Sequence, residues 1–163
     1  MSQTVHFQNL RDMEDEVQTL FVGLKENLAS LVPFAEIEHI GSTSIPGSVT
    51  KGDLDIGIRV SESGFAKAIL LLESNYKRNE ESLSTNQYQS FICPCEKHDV
   101  GLQLFIAGSI FDKRFSSWRK ELIANPKLLE QYNSLKMKHD GKSMSEYREA
   151  KSKFIRSNLK NDA

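Results

Sequence analysis

Asp53 and Asp55 stand two positions apart in Lys51-Gly52-Asp53-Leu54-Asp55-Ile56, a stretch whose alternating character continues to Val60. Residues i and i+2 of an extended strand share a face, so both carboxylates point the same way. Two anions held side by side repel each other, and a cation between them removes that cost. Hard carboxylate oxygens suit magnesium, or manganese in its place, with water and substrate phosphates completing the shell. Upstream, Gly41 and Ser42 end the apolar-rich stretch Ala35 to Ile40, and ten residues separate Ser42 from Asp53. A glycine at a strand end lets the backbone approach a phosphate closely, while the N–H groups that follow and the Ser42 hydroxyl donate to its oxygens. Taken singly, Asp-x-Asp is a solvated strand face and Gly-Ser is a turn. Together, in this order, they point to phosphoryl or nucleotidyl transfer, which depends chiefly on positioning and charge neutralisation.

The elements that would hold these groups are legible in the hydrophobic pattern. Leu10, Met13, Val17, Leu20, Phe21, Leu24, Leu28 and Leu31 recur at helical spacing, and Pro33 closes the helix. Ala35 to Ile40 predicts a short strand, Ser42 to Lys51 a loop with at most one helical turn, and Asp53 to Val60 a second strand. Phe65 to Leu72 predicts a helix, and Gln87 to Cys93 and Val100 to Ile106 predict two strands joined through the Pro94 to His98 turn. Beyond Gly108 the pattern is helical: Pro126 opens one helix, and Ser143 with Glu146 forms a capping box before the last. Without an internal repeat or a linker, residues 1–163 read as a single α+β domain, a mixed sheet flanked by helices with a helical C-terminal part.

Bulk properties narrow the function classes. The formal net charge of -1 argues against strong non-specific nucleic-acid binding. The longest apolar run, Ala68 to Leu72, is too short for a bilayer, and the N-terminus lacks a signal pattern, so no membrane association and a cytoplasmic location are expected. Cys93 and Cys95 flank Pro94, and with His98 they offer too few ligands for a closed zinc site; they read as reduced thiols.

Apolar-Gly-Ser, about ten residues, then Asp-apolar-Asp-apolar resembles the signature of the nucleotidyltransferase superfamily. The segment Glu38-His39-Ile40-Gly41-Ser42-Thr43-Ser44-Ile45-Pro46-Gly47 resembles, more narrowly, the hallmark of the GrpB family. The likeness continues through Ala107-Gly108-Ser109, Trp118-Arg119-Lys120-Glu121-Leu122, Pro126, Tyr132, Leu135-Lys136 and the closing Tyr147, Lys151 and Phe154-Ile155. In the GrpB family the first segment leads into Lys-Pro-Ile-Ile-Asp-Ile, where this chain reads Lys51-Gly52-Asp53-Leu54-Asp55-Ile56. The superfamily likeness implies a nucleotidyltransferase fold, with Asp53 and Asp55 as catalytic metal ligands. Gly41, Ser42, Arg119, Lys136, Tyr147 and Lys151 would then bind a nucleoside triphosphate. The resemblance names no acceptor.

One departure bears on catalysis. The superfamily places a third carboxylate on a neighbouring strand, and here that place falls near Gln103, with Asp99 the only nearby acid. Asp99 is therefore the candidate third catalytic group. Two functions follow: magnesium-dependent transfer of a nucleoside monophosphate, or an inactive nucleotide-binding or accessory module of the same fold. His39 is expected to be hydrogen-bonded within the sheet, Trp118 to be core, and most of the C-terminal basic residues to form a solvated face.

Overall fold

The computed structural model describes residues 3–159. Strand β1 (Gln8–Asn9) leads through one 3-10 turn into helix α1 (Glu14–Leu31). Strands β2 (Glu36–Ile40), β3 (Val49–Thr50) and β4 (Leu54–Val60) follow, with a 3-10 turn at Ser42–Ser44. Helix α2 (Phe65–Glu73), strands β5 (Lys77–Arg78), β6 (Tyr88–Cys93) and β7 (Val100–Ile106), and helices α3 (Ile110–Ala124), α4 (Pro126–Lys138) and α5 (Met144–Asn158) complete the chain.

Five strands form one mixed sheet in the order β2-β4-β7-β6-β5; β4 and β7 run parallel and the other pairs antiparallel. Alternation assigns its two faces. Leu54, Ile56, Ile58 and Val60 of β4 lie beside Val100, Leu102, Leu104 and Ile106 of β7, and α1 and α2 cover them with Val17, Phe21, Leu28, Phe65, Ala68 and Leu72. Burying that face supplies the main driving force for folding. The opposite face carries Asp55, Gly57 and Arg59 on β4 against Gly101, Gln103 and Phe105 on β7. Phe111 and Phe115 of α3 cover only one end of it, over Ile40, Tyr88 and Phe105. At the other end Asp55, Gly101 and Gln103 remain partly exposed.

The C-terminal helices pack on one another through Ile45, Leu122, Leu128 and Tyr132, with Trp118 and Phe154 against them, so Trp118 is core as expected. Each has a readable start. Ser109, Asn125 and Ser143 accept backbone N–H groups of the first turns, and Pro126 takes a position where no N–H is needed. Lys138, Lys142, Arg148, Lys153 and Arg156 are exposed; Lys160 of the same basic series lies outside the described residues.

Several short connections are absent from the sequence pattern. β1 pairs with β3, and just upstream Val5 exchanges backbone hydrogen bonds with Gly141 and Lys142. This N-terminal strap ties the turn between α4 and α5 to the loop after Gly41. Among the described residues no helix is long and apolar enough to cross a membrane.

Candidate active site

Gly41 begins the loop with φ +79° and ψ -175°, a conformation essentially reserved for glycine. A side chain there would also have no room, since an added Cβ would lie 2.6 Å from Asp55 Oδ2. The bare backbone of the loop is thus pressed against one of the two carboxylates. The turn behind it is wired internally: Ser44 Oγ donates to the Gly41 carbonyl at 2.6 Å, and Ser48 Oγ to the Ser42 carbonyl at 2.6 Å. Ser42 Oγ shares a 2.7 Å hydrogen bond with Thr50 Oγ1. Thr43 Oγ1 donates to the Asp53 carbonyl at 3.0 Å, which joins the loop to the strand bearing the acids.

Asp53 lies one residue ahead of β4 and Asp55 on it. Asp53 Oδ2 is 3.1 Å from Lys51 Nζ. Burial and then the neighbouring Asp53 charge push Asp55 above the ordinary carboxylate value; Lys151, the Gln103 amide and Lys51 only partly offset them. The lysines and the amide leave Asp55 under-compensated, a deficit that a nearby cation would relieve. Hard oxygens on a partly buried carboxylate pair, beside the bare Gly41 backbone, are the donor type that magnesium takes.

The position adjoining Asp55 across the sheet is Gly101, and Gln103 follows two residues on. Gln103 Nε2 donates to Asp55 Oδ1 at 3.3 Å, and the Tyr88 hydroxyl donates to Gln103 Oε1. Since Tyr88 holds the amide oxygen, the NH2 group is the one that faces Asp55. A neutral donor thus stands at the place where a third acid was sought. Asp99 is exposed and precedes β7 by one residue, its carbonyl accepting the Leu54 N–H at 2.8 Å. Among the described residues no three acids, histidines or cysteines converge into a metal-holding group, so Asp99 does not join Asp53 and Asp55 in one.

The C-terminal helices close the loop from behind. Arg119 of α3 donates from Nε to Ser44 Oγ at 3.0 Å and from Nη2 to the Ser44 carbonyl at 3.4 Å. From α4, Asn133 donates to the Gly47 carbonyl and accepts the Val49 N–H, while Lys136 Nζ donates to the Val49 carbonyl at 2.7 Å. Lys136 is 2% exposed and lies over the Tyr132 ring. Burial first, then Lys151 and Lys51, lower it from 10.5 to about 7. On α5, Tyr147 is buried against Phe7, and Lys151 is half-buried with its charge reaching both Asp55 and Lys136. Burial, then Tyr132, raise the Tyr147 hydroxyl far above its ordinary value, with Asp53 adding to the effect. His39 bonds Thr43 Oγ1 through Nε2 at 2.9 Å and stacks on Phe21 of α1, so its partner is the loop and not the sheet as expected. Burial, then Arg119, bring it down to about 4, so it is neutral at pH 7.

Cys93 is buried and Cys95 exposed, and His98 Nδ1 bonds the Gly52 carbonyl at 2.9 Å. Seven residues that position the site went unread in the sequence: Thr43, Ser44, Ser48, Thr50, Lys51, Tyr88 and Asn133. Strand parity does not reach Lys51, because Gly52 turns the chain with φ +93° before β4 begins.

Comparisons place this geometry. A relative from Vibrio cholerae serotype O1, a UPF0157 protein, is 34% identical over 159 residues, covering 95% of this chain and 82% of the relative. The crystal structure of the conserved protein GrpB from Enterococcus faecalis matches with TM-score 0.65 at 18% identity, covering 94% of this chain and 99% of that one. A cytoplasmic RNA terminal U-transferase matches with TM-score 0.51 at 12% identity, over 76% of this chain and 38% of that one. The fold is therefore the mixed α+β fold that GrpB shares with nucleotidyltransferases. The family model described as GrpB protein matches residues 8–161, and the chain belongs to that family.

Proposed function

We propose that this protein binds a magnesium–nucleoside triphosphate at Asp53 and Asp55 and transfers the nucleoside monophosphate to an acceptor. The observation that supports the reading is the closeness of Gly41 to Asp55, where an added Cβ would lie 2.6 Å from Oδ2, so that the Gly41-Ser42 turn adjoins the carboxylate pair. Magnesium bound there would neutralise phosphate charge and lower the pKa of the acceptor oxygen. Gly41 and Ser42 present the turn to the phosphates. Lys151 and Tyr147 line the side facing the acids, and Arg119 and Lys136 hold the loop in shape from behind. In the reaction the acceptor oxygen bonds to the α-phosphorus, and pyrophosphate leaves with the electron pair. The acceptor's proton passes to a base, for which Asp99 is the candidate.

A second reading has its own observation. Gln103, fixed by Tyr88, gives Asp55 an amide where a third acid would strengthen catalysis. On that reading the protein binds nucleotide without transferring it. A thermal-shift titration with magnesium and each nucleoside triphosphate tests the binding shared by both readings. Ligand at a hundred times its Kd stabilises by about 2.7 kcal/mol, or roughly 5–10 °C for a domain of this size. Asp53→Asn with Asp55→Asn should abolish the shift and keep the fold; a full shift in that variant would sink the site. Labelled triphosphate with a cell extract as acceptor pool separates the readings. Label transferred by the parent and lost in Asp99→Asn supports the transferase, whereas binding without transfer supports the module.

A further inference from the structure

We propose that Lys51 is a built-in counter-ion that makes the site prefer a metal–nucleoside triphosphate complex over a bare divalent cation. The inference rests on the nucleotide reading of this site and assigns its selectivity to a residue outside the hallmark motifs. Lys51 and Asp53 flank Gly52, whose φ of +93° turns the chain between β3 and β4 and folds the ammonium back towards the carboxylates. The geometry agrees: Nζ lies 3.1 Å from Asp53 Oδ2, with the two side chains 29% and 31% exposed. The same charge reaches Asp55 and Lys136, so Lys51 stands where the acidic pair meets the basic wall formed by α4 and α5.

Two opposite consequences follow from that one position. An incoming divalent ion would bind an Asp53 oxygen at roughly 2.1 Å, against an ammonium already beside it. With no phosphate present, two cations then compete for the Asp53 carboxylate, and the bare ion gains that oxygen only by displacing the lysine. A metal–triphosphate complex carries net negative charge. Its phosphates offer Lys51 a new partner, and the flexible four-carbon stem lets the ammonium move from carboxylate to phosphate. The residue that opposes the bare ion thereby favours the complex, and selectivity arises from a repulsive element as much as from an attractive one. Lys151 cannot substitute, because Lys51 alone among the described residues is ion-paired to Asp53.

The test compares the parent with Lys51→Met and Lys51→Arg, each checked for a native circular-dichroism spectrum and cooperative melting. Two titrations are made: Mn2+ alone, followed by electron paramagnetic resonance, and Mg2+ with each of the four α,β-methylene nucleoside triphosphates, followed by calorimetry. Lys51→Met should bind Mn2+ alone about two- to fivefold more tightly and the metal–nucleotide about two- to fivefold more weakly, the range of a partly exposed charge contact. Lys51→Arg should restore both towards the parent values. Loss of affinity for both ligands, or no change in either, overturns the counter-ion role. The nucleotide reading fails separately: if Lys51→Met tightens Mn2+ in an Asp53-dependent way while no triphosphate binds the parent, Lys51 is still a counter-ion but the site is not a nucleotide site. If neither parent nor variant binds Mn2+ alone, the counter-ion role falls; if no metal–triphosphate binds either, the nucleotide reading falls with it.

Discussion

Lys136 offers the sharpest test of how the C-terminal helices support the loop. Its ammonium is 2% exposed, bonded to the Val49 carbonyl, and lowered from 10.5 to about 7 by burial, then by Lys151 and Lys51. In the unfolded chain the group returns to its ordinary value. Between about pH 7 and pH 10.5 the unfolded state therefore binds more protons than the folded one, and stability from this residue rises with pH. Each unit of displacement corresponds to about 1.4 kcal/mol, so the full window is worth on the order of 5 kcal/mol, and the span from pH 7 to pH 9 roughly 2–3 kcal/mol. Lys136→Met removes the titration. It also removes the hydrogen bond to Val49 at a cost of about 1–3 kcal/mol, but that offset does not vary with pH. Urea unfolding of parent and variant at half-unit steps from pH 6 to 9.5 isolates the slope, because the remaining groups cancel in the difference. The variant should lose least at low pH and fall progressively behind as pH rises. Parallel curves would refute the argument and place the ammonium in contact with water.

Two further outcomes are expected. Gly41→Ala should cost about 1–3 kcal/mol for its backbone conformation and abolish the thermal shift by magnesium–nucleotide, because its Cβ would meet Asp55 Oδ2 at 2.6 Å. Gly108→Ala, at φ +77° with open space around it, should pay the backbone cost and keep the shift; equal ligand responses would remove the steric argument. The second concerns Asp112, which bonds Arg59 and the Gly108 N–H. Burial works to raise it, but those partners hold it below the ordinary 3.8. Its contribution is present above that value and lost as pH falls through the lower folded one, so Asp112→Asn should flatten the acid limb of a Tm-against-pH curve. An unchanged limb would show that the Arg59 cluster adds nothing.

What could be read in advance, and what could not, follows from the length over which a residue pattern repeats. β7 was read with its bounds intact, since Val100 to Ile106 alternates for a full strand. β1, β3 and β5 are two residues long and leave no period to detect, so the strap that ties the N-terminus to the loop was invisible. The Asp53–Asp55 pair was legible because strand parity alone puts two side chains together. The burial of Lys136 had a partial signal: it continues the stripe Leu128, Tyr132 at four-residue steps on α4, a phase at which a lysine faces the core. Which of those faces meets the loop is a tertiary fact, set by Asn133 and Lys136 finding the carbonyls of Gly47 and Val49.

The charge arrangement around Asp55 links these separate observations. On its own side of the sheet the carboxylate meets one amide, from Gln103, and the side-chain-free space at Gly41. Positive charge comes from Lys51 and Lys151, neither of which cancels the burial and repulsion that raise Asp55. A third acid in place of Gln103 would deepen that imbalance in the empty protein and would require a second cation when occupied. The neutral amide lets the pair persist with two lysines nearby, and Tyr88, by holding the amide oxygen, fixes the amide's orientation in the folded structure. On the proposed reading, a metal–phosphate complex would then enter as a unit, and transfer would turn on whether a base outside the carboxylate pair can reach the acceptor's proton.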